Sequence, residues 1–366
     1  MYNNKMIAVV VPAFNEEKQI GHVLKNMPDF VDRIVVINDC STDKTREVVL
    51  EFINDDRKKR GKKIDPKQKK ITQNIYNAAD IILQKAQEGE LKFFPASKII
   101  NEHPETDRII LIDQLQNYGN GKAIARGYKW AQDHDIDCTV VMDGDGQMDP
   151  SEMESIIQPI IEEGVDYVKG NRLIHRSAWL VIPQIRYFGN SILSILTKIA
   201  SGYWHISDAQ CGYTAISIRA LRAIRIYKIF KSYGWPNDML IKLNIAFCTI
   251  KEVEIKPVYQ VGEKSKMKIY KVIPTVSWLL FKSFFRRLWI KYFFRDFHPL
   301  FLLYNFSFLL GLICMPYAYK VFQSFVHNYK LSLETLFAFS FLSITSFQSL
   351  LFAMWMDILD NERLHK

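Results

Sequence analysis

"TVVMDGDGQMDP", residues 139–150, ends a short apolar run with two carboxylates, Asp143 and Asp145, and the amide of Gln147. An apolar run that short, rich in Val and closing on acidic side chains, reads as a buried strand whose carboxyl end carries chemistry. The same pattern recurs outward from it. "IAVVVPAF" (7–14), "RIVVINDC" (33–40), "RIILID" (108–113), "CTVVMDGD" (138–145) and "VDYVKGN" (165–171) are expected as strands, and helical patterns cover 16–27, 43–54, 120–133 and 151–163. Strands alternating with helices predict an α/β sandwich around a mostly parallel sheet, with ligands at the strands' carboxyl ends. The acidic box falls at such an end, as do Asn15, Glu16 and Asp39.

Three readings of the box compete. Asp143, Asp145, Gln147, Asp149 and Glu154 fit calcium-loop positions 1, 3, 5, 7 and 12, but Met148 replaces the Gly at position 6, Pro150 follows, and a strand rather than a helix precedes. A solvent-facing acidic turn is the second reading. In the third, two carboxylates one residue apart project the same way from extended backbone. They would then hold Mg²⁺ or Mn²⁺ against a nucleotide diphosphate. The first strand lacks GxGxxG and no GxxxxGK[ST] occurs, so a phosphate pocket is built by other means.

At 366 residues the chain exceeds a usual single domain, and its charge lies mostly before residue 300. No N-terminal leader is expected, since 7–11 is too short an apolar run, and the N-terminus is read as cytoplasmic. Cys40, Cys138, Cys211, Cys248 and Cys314 are widely spaced without a CxxC pair, which argues against a zinc site or disulfide framework. Residues 54–107 interrupt the rhythm and read as an insertion, with a basic block at 55–70 and a helical segment at 72–88. The basic block is expected to be a solvated surface, with no nucleic-acid partner.

The end of the chain is different. Residues 299–319 carry no charge for 21 positions and Thr335–Met356 none for 22, each long enough to cross a hydrocarbon layer of ~30 Å as a helix. Together they predict a membrane hairpin. Lys264, Lys266, Lys268, Lys271, Lys282, Arg286, Arg287, Lys291 and Arg295 precede it, against Lys320 and Lys330 between the spans, so the bulk of the protein is expected on the cytoplasmic face. "SWLLFKSFFRRLWIKYFFRDF" (277–297) mixes Trp and Phe with Lys and Arg, as a helix lying in the headgroup layer does, its cations meeting lipid phosphates. The expected organisation is a catalytic domain over 1–260, juxtamembrane helices over 261–297, two spans over 298–358 and a cytoplasmic tail over 359–366.

Read in order, "VVVPAFNEEKQI" (9–20), "VVINDCSTDKT" (35–45), "NYGNGKAIARGYKWA" (117–131), "VVMDGDGQMDP" (140–150), "KGNR" (169–172), "DAQCGYTAIS" (208–217) and "GWPNDMLIKL" (234–243) resemble the inverting GT-A glycosyltransferases of family 2. More narrowly they resemble polyprenyl-phosphate sugar synthases of the dolichyl-phosphate mannose or glucose synthase type. The resemblance implies a GT-A domain of Rossmann-like α/β fold. It also implies transfer of a sugar from a UDP- or GDP-sugar to dolichyl or another polyprenyl phosphate, with Mg²⁺ or Mn²⁺ as cofactor. It assigns Pro12, Phe14, Asn15, Glu16 and Asp39 to base and ribose, and Lys122, which follows a glycine pair, to the diphosphate. Asp143, Asp145 and Gln147 match the metal triplet, and Asp208, Gln210 and Gly212 a signature bordering the sugar.

Arg172, Arg186, Lys264 and Lys266 are the implied cations for the acceptor phosphate, with Arg best suited to its oxygens. Asp238 stands where many members carry the proposed base. A phosphate monoester with a second pKa of about 6 is already largely dianionic at neutral pH, so Asp238 can equally orient groups. Gln260 stands near a basic position of mannose synthases, which counts against mannose. A processive polysaccharide synthase is the enzymatic alternative, though QxxRW is absent, and a catalytically silent nucleotide- or lipid-binding scaffold is the other. Association with further copies of the chain, as a homo-oligomer, is left open.

Overall fold

The computed structural model describes residues 1–60, 76–258, 269–328 and 330–366. Its strands are β1 (Ile7–Ala13), β2 (Arg33–Asn38), β3 (Ser97–Ile99), β4 (Ile109–Gln114), β5 (Cys138–Val141), β6 (Tyr167–Asn171), β7 (Thr214–Ser217) and β8 (Ile250–Glu254). Its helices are α1 (Ile20–Lys25), α2 (Thr45–Arg60), α3 (Ala78–Gly89), α4 (Asn120–Asp133), α5 (Met153–Glu162), α6 (Ala178–Val181), α7 (Gln184–Ser201), α8 (Ile218–Ala223), α9 (Trp235–Ile245), α10 (Ile269–Trp289), α11 (Pro299–His327) and α12 (Leu333–Glu362). One sheet runs in the order β3-β4-β2-β1-β5-β7-β6-β8. The pairs β1/β2, β2/β4, β1/β5 and β6/β8 are parallel, while β3 and β7 run against their neighbours. The mostly parallel sheet expected from the sequence is therefore present. Its two faces are covered by separate apolar clusters, because residues such as Val9 and Val11 point to one side and Ala8 and Val10 to the other.

Three strands escaped the sequence reading for a shared reason. β3 has three residues, β7 sits inside the "CGYTAIS" stretch, and β8, "IKEVE", carries charge at the sheet's edge. The expected 138–145 strand stops at Val141. Asp143 to Gln147 form a turn, with Gly146 at φ +77, so the two carboxylates are brought together by a turn and not by the period of extended backbone. The helix expected over 16–27 is confined to Ile20–Lys25. The preceding backbone is drawn off by side chains of the facing loop: Ser41 and Thr45 accept from the Asn15 and Glu16 amides at 3.0 and 2.9 Å, and Asp43 from that of Glu17 at 3.1 Å. Within 54–107, β3 pairs with β4 and Phe94 enters the core.

The glycines of "GNGK" serve a close backbone approach. A Cβ on Gly121 would stand 1.9 Å from the Phe230 carbonyl oxygen, and one on Gly119, at φ +88, 2.5 Å from that of Lys231. Gly121→Ala should therefore cost about 2–3 kcal/mol, seen as an earlier denaturant midpoint, by pushing the 230–234 loop off α4.

α11 and α12 are long and apolar enough to cross a membrane, each with mean hydropathy 1.7. They pack as a hairpin. Ser307 and Ser346 exchange side-chain to carbonyl bonds at 2.8 and 2.9 Å, and Gly311 lets the helices close beside Ser346. Their outer surface exposes Phe306, Leu309, Leu312, Phe337, Phe341 and Phe347. α10 departs from the expected interfacial helix in one respect. Arg287 and Lys291 do not reach outward to lipid phosphates: both are buried and pair with Asp357 and Asp360 at the end of α12. The outward face of α10 and of the π-helical segment Ile290–Arg295 is largely aromatic, including Trp278, Phe281, Trp289 and Phe294.

Candidate functional site

The cleft lies where the carboxyl ends of β1, β2 and β5 meet the 208–212 loop and the amino ends of α4 and α9. Asp143 is half-buried on the β5 turn and accepts from Asn120 Nδ2 at 3.3 Å. Burial, and next the neighbouring Asp145 carboxylate, push the Asp143 carboxyl up to about 7. Asp145 accepts from the Gln147 amide at 3.0 Å. The side-chain nitrogen of Gln147 and the side-chain oxygen of Asn120 are both buried without a hydrogen-bond partner, and native proteins rarely leave such groups unmet unless a ligand meets them. Two mutually repelling carboxylates beside the unmet Asn120 oxygen suit a hard divalent cation, and the unmet Gln147 N–H group suits an anionic oxygen next to it. No group of three His, Cys, Asp or Glu side chains gathers among the described residues, so such an ion would complete its shell with diphosphate oxygens and water.

The raised Asp143 carboxyl makes the stability of the metal-free protein depend on pH. The folded state holds the Asp143 proton that the unfolded chain has already lost above its ordinary value near 3.8. This group's contribution therefore makes stability fall as pH rises from about 4 to about 7, and leaves it level beyond. Thermal melts in chelator should show that slope in the wild type and lose it in Asp143→Asn.

Most of the other predicted residues gather here. Pro12 is buried in β1 and its carbonyl accepts from the Gly144 amide at 3.2 Å, fixing the acidic turn. Phe14, Asn15 and Glu16 line the same edge. Asn15, at φ +55, accepts from the Thr42 amide at 2.8 Å, and the Glu16 charge is felt at Asp143. Asp39 is buried, and its two oxygens accept from the Tyr118 and Gly119 amides, both at 2.8 Å. It sets the start of α4, the helix that presents Asn120. Lys122 donates to the Tyr227 carbonyl at 2.7 Å, so in this conformation its ammonium is engaged away from the acidic box.

Arg172 and Asp208, expected on the acceptor and the sugar respectively, face each other. Arg172 Nε and Nη2 reach the Asp208 oxygens at 2.8 and 3.1 Å. Asp208 is fully buried, and although burial acts to raise its carboxyl, Arg172 holds it below the usual range. Gln210 donates to Asn237 at 3.0 Å. Gly212 leaves room at the box: a Cβ there would stand 3.4 Å from Asp143 Oδ2 and 3.3 Å from Met148 Cε. Asp238 is buried, accepts from the Phe230 amide at 2.8 Å and pairs with Lys242 Nζ. These bonds anchor the 230–234 loop, which makes Asp238 a positioning group. Arg186 lies in α7 with its side chain outside the described residues, and Lys264, Lys266 and Gln260 are outside them altogether.

Sequence reasoning missed Asn120 and Tyr233. Asn120 stands inside the quoted "NYGNGK" and was legible as a polar side chain at a helix start. Tyr233 had no signal: burial and next the Asp143 charge push its hydroxyl up.

The family described as Glycosyl transferase family 2 matches residues 8–86 and 95–225. The chain belongs to this family. The match runs through most of 54–107 and breaks at 87–94, and the mostly parallel sheet is the one expected from sequence. Among the transferase's relatives, the UDP-N-acetylglucosamine–dolichyl-phosphate N-acetylglucosaminyltransferase of Methanococcus voltae is 28% identical over 79% of this chain and 97% of its own length. A dolichyl-phosphate β-glucosyltransferase of Trichomonas vaginalis is 23% identical, covering 77% of this chain and 74% of its own. The undecaprenyl-phosphate mannosyltransferase of Micrococcus luteus is 29% identical over 44% of this chain and 66% of its own. A solved glucosyl-3-phosphoglycerate synthase from Mycobacterium tuberculosis, in complex with Mn²⁺, UDP and glucosyl-3-phosphoglycerate, is 16% identical with a TM-score of 0.47, over 78% of this chain and 80% of that one.

Proposed function

We propose that this glycosyltransferase moves a sugar from a nucleotide sugar to the phosphate of a polyprenyl lipid at the cytoplasmic face of a membrane. The observation that carries the reading is the raised, half-buried Asp143 beside Asp145, in a domain packed directly onto an apolar helical hairpin. The names of the relatives support the acceptor, and that of the M. voltae protein makes UDP-N-acetylglucosamine the first donor to test. Cations exposed ahead of the hairpin, such as Lys282, Arg286 and Arg295, support the orientation.

In this reading the acceptor phosphate oxygen attacks the anomeric carbon, the bond to the nucleotide diphosphate breaks, and the diphosphate leaves with the electron pair. A divalent ion, when bound, would offset the negative charge gathering on that leaving group. Asp143 and Asp145 would hold it, with Gln147 beside them. Asn120 orients Asp143, and the Arg172–Asp208 pair positions a cation at the sugar edge for the incoming phosphate. Asp39 and Asp238 fix the two loops that frame the donor. The acceptor is already dianionic, so positioning and electrostatics supply most of the rate.

Purified full-length protein incubated with Mn²⁺, dolichyl phosphate and labelled UDP-N-acetylglucosamine should give a chloroform-soluble labelled sugar, and excess EDTA should remove the product. No lipid product from a panel of UDP- and GDP-sugars would overturn the reading.

A further inference from the structure

A groove of about 500 Å³ opens between Phe247, Arg295, Asp296, Arg363 and Leu364. None of these residues belongs to the cleft. α9 begins at the cleft with Trp235 and ends at Ile245 beside the groove, which sets the two roughly 15 Å apart at about 1.5 Å per residue. Connectivity fixes its depth in the membrane. Arg295 stands just before α11 and Arg363 just after α12, so the groove lies where both apolar spans end.

The chemistry of the groove is cationic on an aromatic floor. Arg363 and Arg295 place their guanidinium carbons 5.8 and 5.9 Å from the Phe247 ring centre, and Lys291 Nζ lies 5.1 Å from it. Arg295 donates to the Ile245 carbonyl at 2.6 Å, and Arg363 to the Asp360 carbonyl and carboxylate at 3.2 and 3.1 Å. A guanidinium has five N–H donors, so both retain donors for a ligand. Lys291 and Arg363 share Asp360, at 3.3 and 3.1 Å, so three cations meet only two carboxylates, Asp360 and the Asp296 that lines the groove, and the groove keeps an excess positive charge. Phe294 and Phe297, both exposed, flank the segment and offer apolar surface to the acyl chains attached to a headgroup.

We propose that this groove binds the phosphate headgroup of an anionic membrane lipid, away from the transfer cleft. Basic pockets at the cytoplasmic ends of spanning helices take anionic headgroups, because two fixed cations meet the phosphate charge while the acyl chains stay in the bilayer. The ligand pins the segment before the first span to the residues after the second. The inference rests on the membrane placement of the hairpin and not on sugar transfer, so a failed transferase assay would leave it standing.

The test uses full-length protein in detergent, with thermal unfolding followed during titration with phosphatidylglycerol, phosphatidylcholine or sodium phosphate. Phosphatidylglycerol should raise Tm saturably, and the other two should not. Arg295→Gln/Arg363→Gln should weaken the apparent affinity for phosphatidylglycerol at least tenfold, and Arg363→Gln alone should weaken it in part. Lys282→Gln/Arg286→Gln, which removes the same charge from the exposed side of α10, should leave it within twofold. Equal losses in the two double variants, or an equal shift with phosphatidylcholine, would overturn the site. An equal shift with sodium phosphate would overturn its assignment to a lipid.

Discussion

Asp143→Asn should lower sugar transfer by about three orders of magnitude and leave the fold intact. A loss of that size is about 4 kcal/mol of transition-state stabilisation. It is the scale expected when a charge that offsets leaving-group negativity is no longer held in place. The amide keeps the shape of the side chain and can still meet Asn120, but it cannot share a cation with Asp145. Stability should move the other way. Burial and Asp145 both oppose ionisation of Asp143, so a neutral group there relieves a repulsion, and Tm at pH 8 in chelator should equal or exceed that of the wild type. Initial rates at saturating donor, read beside a melting curve, separate the two effects. A variant that is stable and turns over within tenfold of the wild type would show that the box is not the centre of the chemistry.

The second large effect is structural. Arg287 and Asp357 are fully buried and meet through two bonds of 2.8 and 2.7 Å, while Arg287 also donates to the carbonyls of Ala200 and Ile199 at 3.0 and 3.1 Å. Tyr292 and Asn361 add bonds to the same carboxylate at 2.9 and 2.8 Å. This network joins α7 of the catalytic domain, α10 and the end of α12. Removing one partner strands a charge without water, and Asp357→Asn should cost about 3–5 kcal/mol, measured as a lower Tm in detergent with early loss of the hairpin's protection from protease. Arg287→Met/Asp357→Leu should recover most of that loss, because an apolar pair of similar volume carries no desolvation cost. If the single variant melts with the wild type, the pair does not hold head and hairpin together.

The end of the chain extends the same junction. Beyond α12, Leu364 enters the core at 5% exposure, and its carbonyl accepts from the Ile250 amide at 2.8 Å. The Lys366 amide in turn donates to the Ile250 carbonyl at 3.0 Å. The residues after α12 thus pair with edge strand β8, and the stretch read from sequence as a cytoplasmic tail is part of the sheet's border.

Local physics made much of this protein legible in its sequence. Runs of Val and Ile bury on both faces of a parallel sheet wherever they occur, which is why β1, β2, β4, β5 and β6 could be placed from composition alone. Charge-free stretches over 20 residues long admit few environments, which is why the hairpin was legible too. The acidic box was readable as a cluster because two carboxylates one residue apart at the end of a buried strand cannot both be hidden in the core. The partner of any single side chain is a different matter, since it depends on groups that arrive from far along the chain. Arg287 looks like a lipid-facing cation until Asp357, 70 positions away, is folded against it. Asp39, Lys122 and Asp238 read in sequence only as charges near the site, and their bonds to backbone groups of Gly119, Tyr227 and Phe230 exist only in the fold. The sequence determined which groups are costly to bury, and only the tertiary structure decided which partner makes each one tolerable.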